Sequence, residues 1–541
     1  MIGKDVKTDA TGSPGSAGAP SGAKGGPGVT FRQEPSGSTG ATSRLGRSSD
    51  NAKNAVAHGL GILFWLAVWF AAAALVGNDL LLAAPADAGA ALVTDLADPV
   101  FWQAVANTSA RILGAGTLSS LAGVALGALA YRFRWVAEGL SAPLQVMKSA
   151  PVACVIVVVL VAWGAGGALV TIVAFVAFPP FYVGMMQALE SRPRQAEAVL
   201  RLAGVSKARV FAACIWPSAL PFFTAASKTA VALSWRAGIT AELLCLPMGS
   251  IGAAVYASKL TLDSAGLLAL TVVVMVLSWV CEKAVVTLLD LSGRAGVRAA
   301  CKRNTQTAAG NGRRAETVLS DGNHAETADS GTVPTKDVTS AAIVLEDVGK
   351  AYGHHVVLER LTLRVEPGQR VCLMAPTGSG KSTAIRLMLC MEQPDAGNAR
   401  AAEPGSACTQ GARIPERFGA MLQTPSLVEG LTALENVMLA ARDDVSQEQA
   451  QAALAGLLPE GGCDKAPSEL SGGMKRLAEL VRALLSGGQA IVLDEPFAGL
   501  DEESHRKACA FILDNLHGRP LVVATHDRSD VALLDARIAR L

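Results

Sequence analysis

The residues best placed to do chemistry lie in the second half of the chain. Strand-like Val371–Met374 runs into Ala375, Pro376, Thr377, Gly378, Ser379, Gly380, Lys381, Ser382 and Thr383, and a helical stretch, Ala384–Leu389, follows. Strand, glycine-bearing loop and helix in that order are what a phosphate-binding loop requires. Successive backbone N–H groups and the helix N-terminus cradle phosphate oxygens, Lys381 reaches the β- and γ-phosphates, and the Ser382 hydroxyl can ligate Mg²⁺. The first glycine of the GxxxxGK[ST] pattern is replaced by Ala375. Gly378 and Gly380, nearest the phosphates, are intact, so phosphate binding is expected to survive.

A second chemical element is the apolar strand Ala490–Leu493, which delivers Asp494 and Glu495 to its end. Asp494 is suited to hold Mg²⁺ and Glu495 to orient or deprotonate an attacking water. Alone, an Asp-Glu pair at a strand end is commonly two solvated carboxylates; downstream of a phosphate loop the catalytic reading prevails. Between these elements lies Leu470-Ser471-Gly472-Gly473-Met474, followed by the helical run Lys475–Leu485. Ser471 with two glycines at a helix N-terminus makes an anion site, although a plain helix cap fits the same residues nearly as well.

With these neighbours, residues 470–474 resemble the LSGGQ signature of ATP-binding-cassette (ABC) ATPases, with Met474 in place of Gln. The resemblance extends over 343–541. Tyr352 matches the aromatic that stacks on adenine, and Gln423 the glutamine that senses Mg²⁺ and water. Ala498–Asp501 matches the D-loop, and His526, after strand Leu521–Ala524, the switch histidine. The resemblance implies ATP and Mg²⁺ as cofactors, with Glu495, His526 and Gln423 catalytic and Ser382, Gln423 and Asp494 around the metal. Nucleotide contacts would come from Tyr352, the loop 375–383, and Ser471, Gly472 and Gly473. The family builds each site from two chains, so a homodimer is implied.

The remainder of the chain must position this site. It has 541 residues, 47 Lys+Arg against 46 Asp+Glu and a net charge of +1, a balance that excludes a nucleic-acid binder driven by bulk charge. Half of the residues are hydrophobic, only 17% are charged, and mean hydropathy is +0.35, which indicates a membrane protein. Six spans are expected near 58–77, 104–130, 143–163, 168–188, 218–244 and 266–289. The first is expected to be retained, because the segment before it is too long for the n-region of a cleaved signal. Basic residues follow the second span (Arg132, Arg134), the fourth (Arg192, Arg194, Arg201, Lys207, Arg209) and the sixth (Arg294, Arg298, Lys302, Arg303). Asp79, Asp87, Asp95 and Asp98 follow the first, so the positive-inside rule puts both termini in the cytoplasm. Residues 1–57 read as a disordered tail, 58–292 as the membrane domain, 293–342 as a flexible linker without Phe, Trp or Tyr, and 343–541 as the ATPase. The ten cysteines contain no CxxC pair and are read as reduced.

The loop 195–221 places Gly204 and Pro217 as in the EAA loop of importer permeases, the element that docks on the ATPase, here expected beside Gln423. With Ala241-Glu242 in the fifth span, 58–292 resembles a nitrate/sulfonate/taurine-type ABC permease. Lys228, Arg236 and Glu242 in that span are either translocation-path residues or a structural pair with a snorkelling lysine. Pro179-Pro180 is expected to kink the fourth span, and the glycines of the second to permit close helix packing. The expected architecture is therefore a six-helix all-α transmembrane bundle of the type I importer kind, followed by an α/β P-loop ABC ATPase. The resemblance implies ATP-driven import of a small polar solute across the plasma membrane by a homodimer supplied by a separate solute-binding protein. The alternatives are an ABC half-exporter and a membrane-tethered ABC ATPase that moves no solute.

Overall fold

The computed structural model describes residues 43–78, 80–316, 340–376, 378–402 and 418–541, and its contacts divide into two units, Met1–Leu75 and Val76–Leu541. The first unit is helix α1 (Ser43–Val76), whose stretch Gly59–Val76 is long and apolar enough to cross a membrane. The helix starts within the segment expected to be disordered; residues 1–42 of that segment lie outside the described residues.

In the second unit, α2 (Pro85–Ala97), α3 (Pro99–Arg132), α4 (Arg134–Ser149) and α5 (Val152–Glu190) lead to a short helix, α6 (Arg194–Leu202). There follow α7 (Lys207–Val210), a π-turn at Phe211–Ile215, α8 (Trp216–Cys245), α9 (Ile251–Leu260) and α10 (Ser264–Glu316). Five helical stretches among the described residues meet the length and hydropathy of a span, not six. The difference lies in α5, whose only non-helical backbone is at Gly164 (φ 70°, ψ 178°). Val152 and Val176 nevertheless line one cavity of about 470 Å³, together with Met147 and Pro179. In an unbroken helix at 1.5 Å per residue those two valines would stand about 36 Å apart. The chain therefore doubles back at Gly164, where glycine tolerates a left-handed φ, and the two arms correspond to the third and fourth expected spans. The break falls at this glycine and not at Pro179-Pro180, which remain inside the helix.

Close packing explains Gly123 and Gly127 of α3, but not Gly114, which has open space around it, or Gly116, whose nearest neighbour is at 3.8 Å. A Cβ on Gly123 would come within 2.9 Å of Phe178 O, and one on Gly127 within 2.9 Å of Tyr182 O, so α3 lies backbone to backbone on α5. The charges of α8 separate into two kinds. Glu242 is fully buried and accepts from the Thr108 hydroxyl (2.9 Å), the Gly252 amide (3.1 Å) and Arg111 (3.4 Å), so it is a satisfied structural acid. Lys228 and Arg236 are exposed and enter no ion pair among the described residues.

Helix α10 continues to Glu316 and so occupies the first part of the expected linker 293–342. Small residues read there as flexible are packed: a Cβ on Gly293 would strike Leu220, and Ala300 is buried in a core that includes Leu439. Residues 317–339 lie outside the described residues.

The nucleotide half opens with β1 (Ala342–Tyr352), β2 (His355–Val365) and β3 (Arg370–Met374), then α11 (Lys381–Met388), β4 (Ala396–Ala402) and β5 (Phe418–Met421). It continues with α12 (Ala433–Ala440), α13 (Gln447–Leu457), α14 (Gly472–Leu485), β6 (Ala490–Asp494), α15 (Glu502–Asn515), β7 (Leu521–Thr525), α16 (Arg528–Leu533) and β8 (Arg537–Arg540). One sheet is antiparallel, β2-β1-β4; the other is five-stranded and parallel, in the order β5-β6-β7-β3-β8. Strands β6 and β7 are buried along their whole length, which is why they read as unbroken apolar runs. Among the described residues eight cysteines are free thiols, whereas Cys390 is disulfide-bonded, which corrects the expectation that all are reduced.

Arg519 secures the rear of this sheet. It is fully buried and donates to five carbonyls, those of Leu484, Ser486, Gly488, Asn515 and Leu516, at 2.7–3.4 Å. Several of these acceptors are the orphaned last carbonyls of α14 and α15, so the cation sits at the negative ends of two helices. Burial pulls its guanidinium down to about 9, so it remains charged at neutral pH. Replacement by Met would leave these acceptors unpaired, so Arg519→Met should lower stability by about 3 kcal/mol, read by denaturant unfolding of the purified chain, with Arg519→Lys recovering only part.

Candidate nucleotide site

The phosphate loop joins β3 to α11. Gly378 (φ 85°) and Gly380 (φ 93°) both occupy the left-handed region, and a Cβ on Gly380 would lie 2.9 Å from both Val357 and Leu358. Ala375 is absent from the residues with positive φ, so the loop accepts alanine there without strain. Lys381 is buried and its ammonium donates to the carbonyls of Ala375 (2.6 Å) and Pro376 (3.0 Å), spanning the mouth of the loop. Ser379 lies in the same loop with its hydroxyl unpartnered, whereas Thr377 lies outside the described residues.

A cavity of about 780 Å³ brings together Met374, Ala375, Pro376, Gln423, Glu495 and His526, with Arg528 and Arg540 adding positive charge. The first six come from the carboxyl ends of β3, β5, β6 and β7, Arg528 from α16 and Arg540 from β8. Asp494 is 3% exposed; desolvation raises its carboxyl above the usual range, and a hydrogen bond from Ser382 acts in the opposite sense. Glu495 is half-buried and holds a left-handed φ of 49°, with its amide donating to Ala524 O at 2.9 Å. Tyr352 is 43% exposed, its hydroxyl donates to Glu392 at 2.6 Å, and a second hydrogen bond joins it to Thr383 of the phosphate loop. Of the expected residues, Ala375, Pro376, Gln423, Glu495 and His526 thus line one cavity, and Tyr352 and Asp494 are tied to the phosphate loop by hydrogen bonds to Thr383 and Ser382.

The signature residues lie elsewhere. Ser471 caps α14 by accepting from the Met474 amide at 3.3 Å, and Ser471 and Gly472 are exposed. They do not line the cavity, and Gly473 instead lies against Gly499 of the D-loop, where a Cβ would approach its carbonyl to 3.2 Å. Asp501 of that loop caps α15 through the Ser504 amide (2.9 Å).

Two sets of residues escaped the sequence reading. Arg476 donates to the carbonyls of Glu495 (2.9 Å) and Gln423 (2.8 Å). Behind it, Ser426, Glu479 and Arg482 form a buried polar cluster, in which the Ser426 hydroxyl meets Glu479 at 2.8 Å and Arg482 at 2.7 Å. The available signal was a pair of charges, Glu479 and Arg482, interrupting the apolar face of α14.

The loop after α5 reaches this domain. Val199 and Leu202 of α6 share a core with Phe418, which opens β5, and Leu422, which follows it. Leu200, Val205 and Val210 pack with Val428, Leu431 and Leu439. Glu197, 7% exposed, joins Arg192 (2.5 Å) and Arg201 (2.6 Å) within the interface. Gly204 (φ 82°) lines a small cavity with Leu439–Asp443, which Gln423 does not line; Leu202 shares a buried core with Leu422, the residue before Gln423.

Comparison with known proteins divides the chain in the same way. Residues 358–498 match the family model described as ABC transporter, and 119–291 that described as binding-protein-dependent transport system inner membrane component. The chain is 33% identical over 213 residues to a macrolide export ATP-binding/permease protein of Marinobacter nauticus, covering 37% of this chain and 33% of that protein. It is 33% identical over 205 residues to Nod factor export ATP-binding protein I of Paraburkholderia xenovorans, covering 37% of this chain and 67% of the relative. A solved dimeric bacterial ABC transporter cassette is 29% identical, covers 37% of this chain and 94% of its own, and gives a TM-score of 0.33. The chain thus spans about a third of the length of the macrolide exporter it matches. The identity shared across two thirds of the Nod factor export protein, together with the two family models, shows that this chain belongs to the ABC transporter family and carries a permease domain and an ATP-binding cassette in one polypeptide.

Proposed function

We propose that the chain is one half of a homodimeric ATP-driven importer of a small polar solute of the nitrate, sulfonate or taurine class, in the plasma membrane with both termini cytoplasmic. The observation that carries this reading is the burial of α6 in the nucleotide domain, since a tethered ATPase that moved nothing would not need permease residues such as Val199 and Leu202 inside its core. Import is supported by the match of 119–291 to a binding-protein-dependent permease model, which also favours a separate solute-binding protein. Export is the second reading, favoured by the names of the macrolide and Nod factor relatives, but those matches cover no more than 37% of the chain. The outward-turned signature at Ser471 supports a second copy as the partner that completes each site.

Mg²⁺ fits the residues present. The Ser382 hydroxyl, the Asp494 carboxylate and the Gln423 amide are hard oxygen donors, and Asp494 already bonds Ser382. When bound, the ion would neutralise charge developing on the phosphates. Lys381 and the loop amides hold the nucleotide, Glu495 orients and deprotonates the water, and His526 faces the same cavity.

Three measurements follow. In proteoliposomes with cassettes and ATP outside, solute should move from the lumen towards the ATP side, stimulated by binding protein sealed within; movement away from the ATP would establish export. Gly204→Asp puts a side chain at φ 82° and a charge at the α6 interface, so transport should fail while basal ATPase persists; normal transport would remove the coupling role of this loop. Glu495→Gln should retain ATP binding and lose at least about 100-fold in hydrolysis.

The raised carboxyl of Asp494 gives a pH test. An acid whose folded-state pKa is raised weakens folding above that pKa, where it must ionise while buried, and a bound cation relieves the cost. Mg²⁺ should therefore raise Tm at neutral pH and progressively less as pH falls through the Asp494 pKa. Asp494→Asn should abolish the Mg²⁺ effect without lowering the metal-free Tm at neutral pH.

A further inference from the structure

Arg476 lies one turn into α14 and touches two parts of the site that are distant in sequence. Its Nη1 donates to Glu495 O (2.9 Å) and its Nη2 to Gln423 O (2.8 Å). Glu495 is a non-glycine residue at φ 49°, a conformation that persists only where the surroundings determine it. Its amide is fixed by Ala524 O on β7, and its carbonyl by Arg476. Those two bonds set the direction in which the carboxylate leaves the main chain. The loop from Gln423 is held at its other end by the same helix, because Arg482 donates to Ser426 O (2.8 Å) and Oγ (2.7 Å) and Glu479 accepts from the Ser426 hydroxyl (2.8 Å). Helix α14 therefore carries loop 423–426 and the Glu495 backbone as one body, while its own N-terminus, Ser471 and Gly472, is turned away from this chain's cavity and exposed.

We propose that Arg476 is a positioning residue that couples the two nucleotide sites: it ties Gln423 and Glu495 of one chain to the helix whose signature end meets the nucleotide held by a second copy. Occupation of the partner's site then sets the geometry of Glu495 in this one, and hydrolysis becomes cooperative. Only a guanidinium does this, because its planar fork reaches two carbonyls at once while staying charged. The inference rests on the reading of the chain as a two-chain ATP hydrolase.

The test uses full-length protein in nanodiscs, wild type beside Arg476→Ala, Arg476→Gln and Arg476→Lys, with MgATP as the probe. Wild type should hydrolyse ATP with a Hill coefficient above 1. Arg476→Ala and Arg476→Gln should lose about 10-fold or more in kcat and drop to a Hill coefficient near 1, while a fluorescent ATP analogue binds within about twofold of wild type. Arg476→Lys should recover part of kcat, since an ammonium reaches one carbonyl. If Arg476→Ala fails to fold, the Gln and Lys variants decide. Turnover or Hill coefficient unchanged in Arg476→Gln, or ATP affinity lost in step with kcat, overturns the positioning role. Wild type that does not hydrolyse ATP overturns the underlying reading instead.

Discussion

The burial of one short permease helix in the nucleotide domain is the contact on which the rest of the structure depends. Val199, Leu200 and Leu202 of α6 are each at most 2% exposed, and each buried aliphatic side chain of this kind contributes about 2 kcal/mol. Polar groups inside the interface act differently. Glu197, held by Arg192 and Arg201 of its own segment, gives little net stability once desolvation is counted, and its pairs neutralise an acid that α6 carries into burial. Membrane and nucleotide halves are thus joined by apolar area.

What α6 meets is decided by the parallel sheet. In a sheet of parallel strands all carboxyl ends point one way, so residues far apart in sequence converge at that edge. The phosphate loop follows β3, Gln423 follows β5, Asp494 ends β6 with Glu495 next to it, and His526 follows β7. The end of β5 belongs to both environments: Leu422 lies in the same buried core as Leu202 of the permease, while its neighbour Gln423 lines the nucleotide cavity. A single peptide unit therefore separates the contact that would transmit force from the contact that would sense phosphate.

The chemical residues were legible in the sequence because backbone geometry demands them. Gly378 and Gly380 take φ values that other residues resist, Ser471 caps a helix, and Asp494 ends a strand of unbroken apolar character. Spans were legible by length alone, and both the extra helix count and the kink position depended on one residue, Gly164, which the sequence does not distinguish from Gly166 or Gly167 beside it. Residues 293–316 misled because Ala and Gly suit a flexible linker and a closely packed helix equally well, and only the presence of Leu220 and Leu439 as neighbours separates the two. Arg476 was illegible for a related reason: its partners are backbone carbonyls, which leave no trace in residue type.

Helix α12 shows why these contacts act together. Its N-terminus is fixed by a capping box of Thr432 and Glu435, and Asn436 bonds the carbonyls of Val428, Leu431 and Thr432, so helix and preceding loop form one rigid piece. Two permease segments grip that piece: the α6–α7 loop through Val205 and Val210, and α10 through Ala300. Arg209 bridges them, donating to Ala300 O at 3.2 Å and Leu439 O at 3.3 Å. Because α10 is continuous with a membrane-length apolar helix, a displacement of α12 acts on the bundle at two points, one on each side of α8 in the chain. Two separated points of contact can transmit a rotation where a single one would act as a pivot.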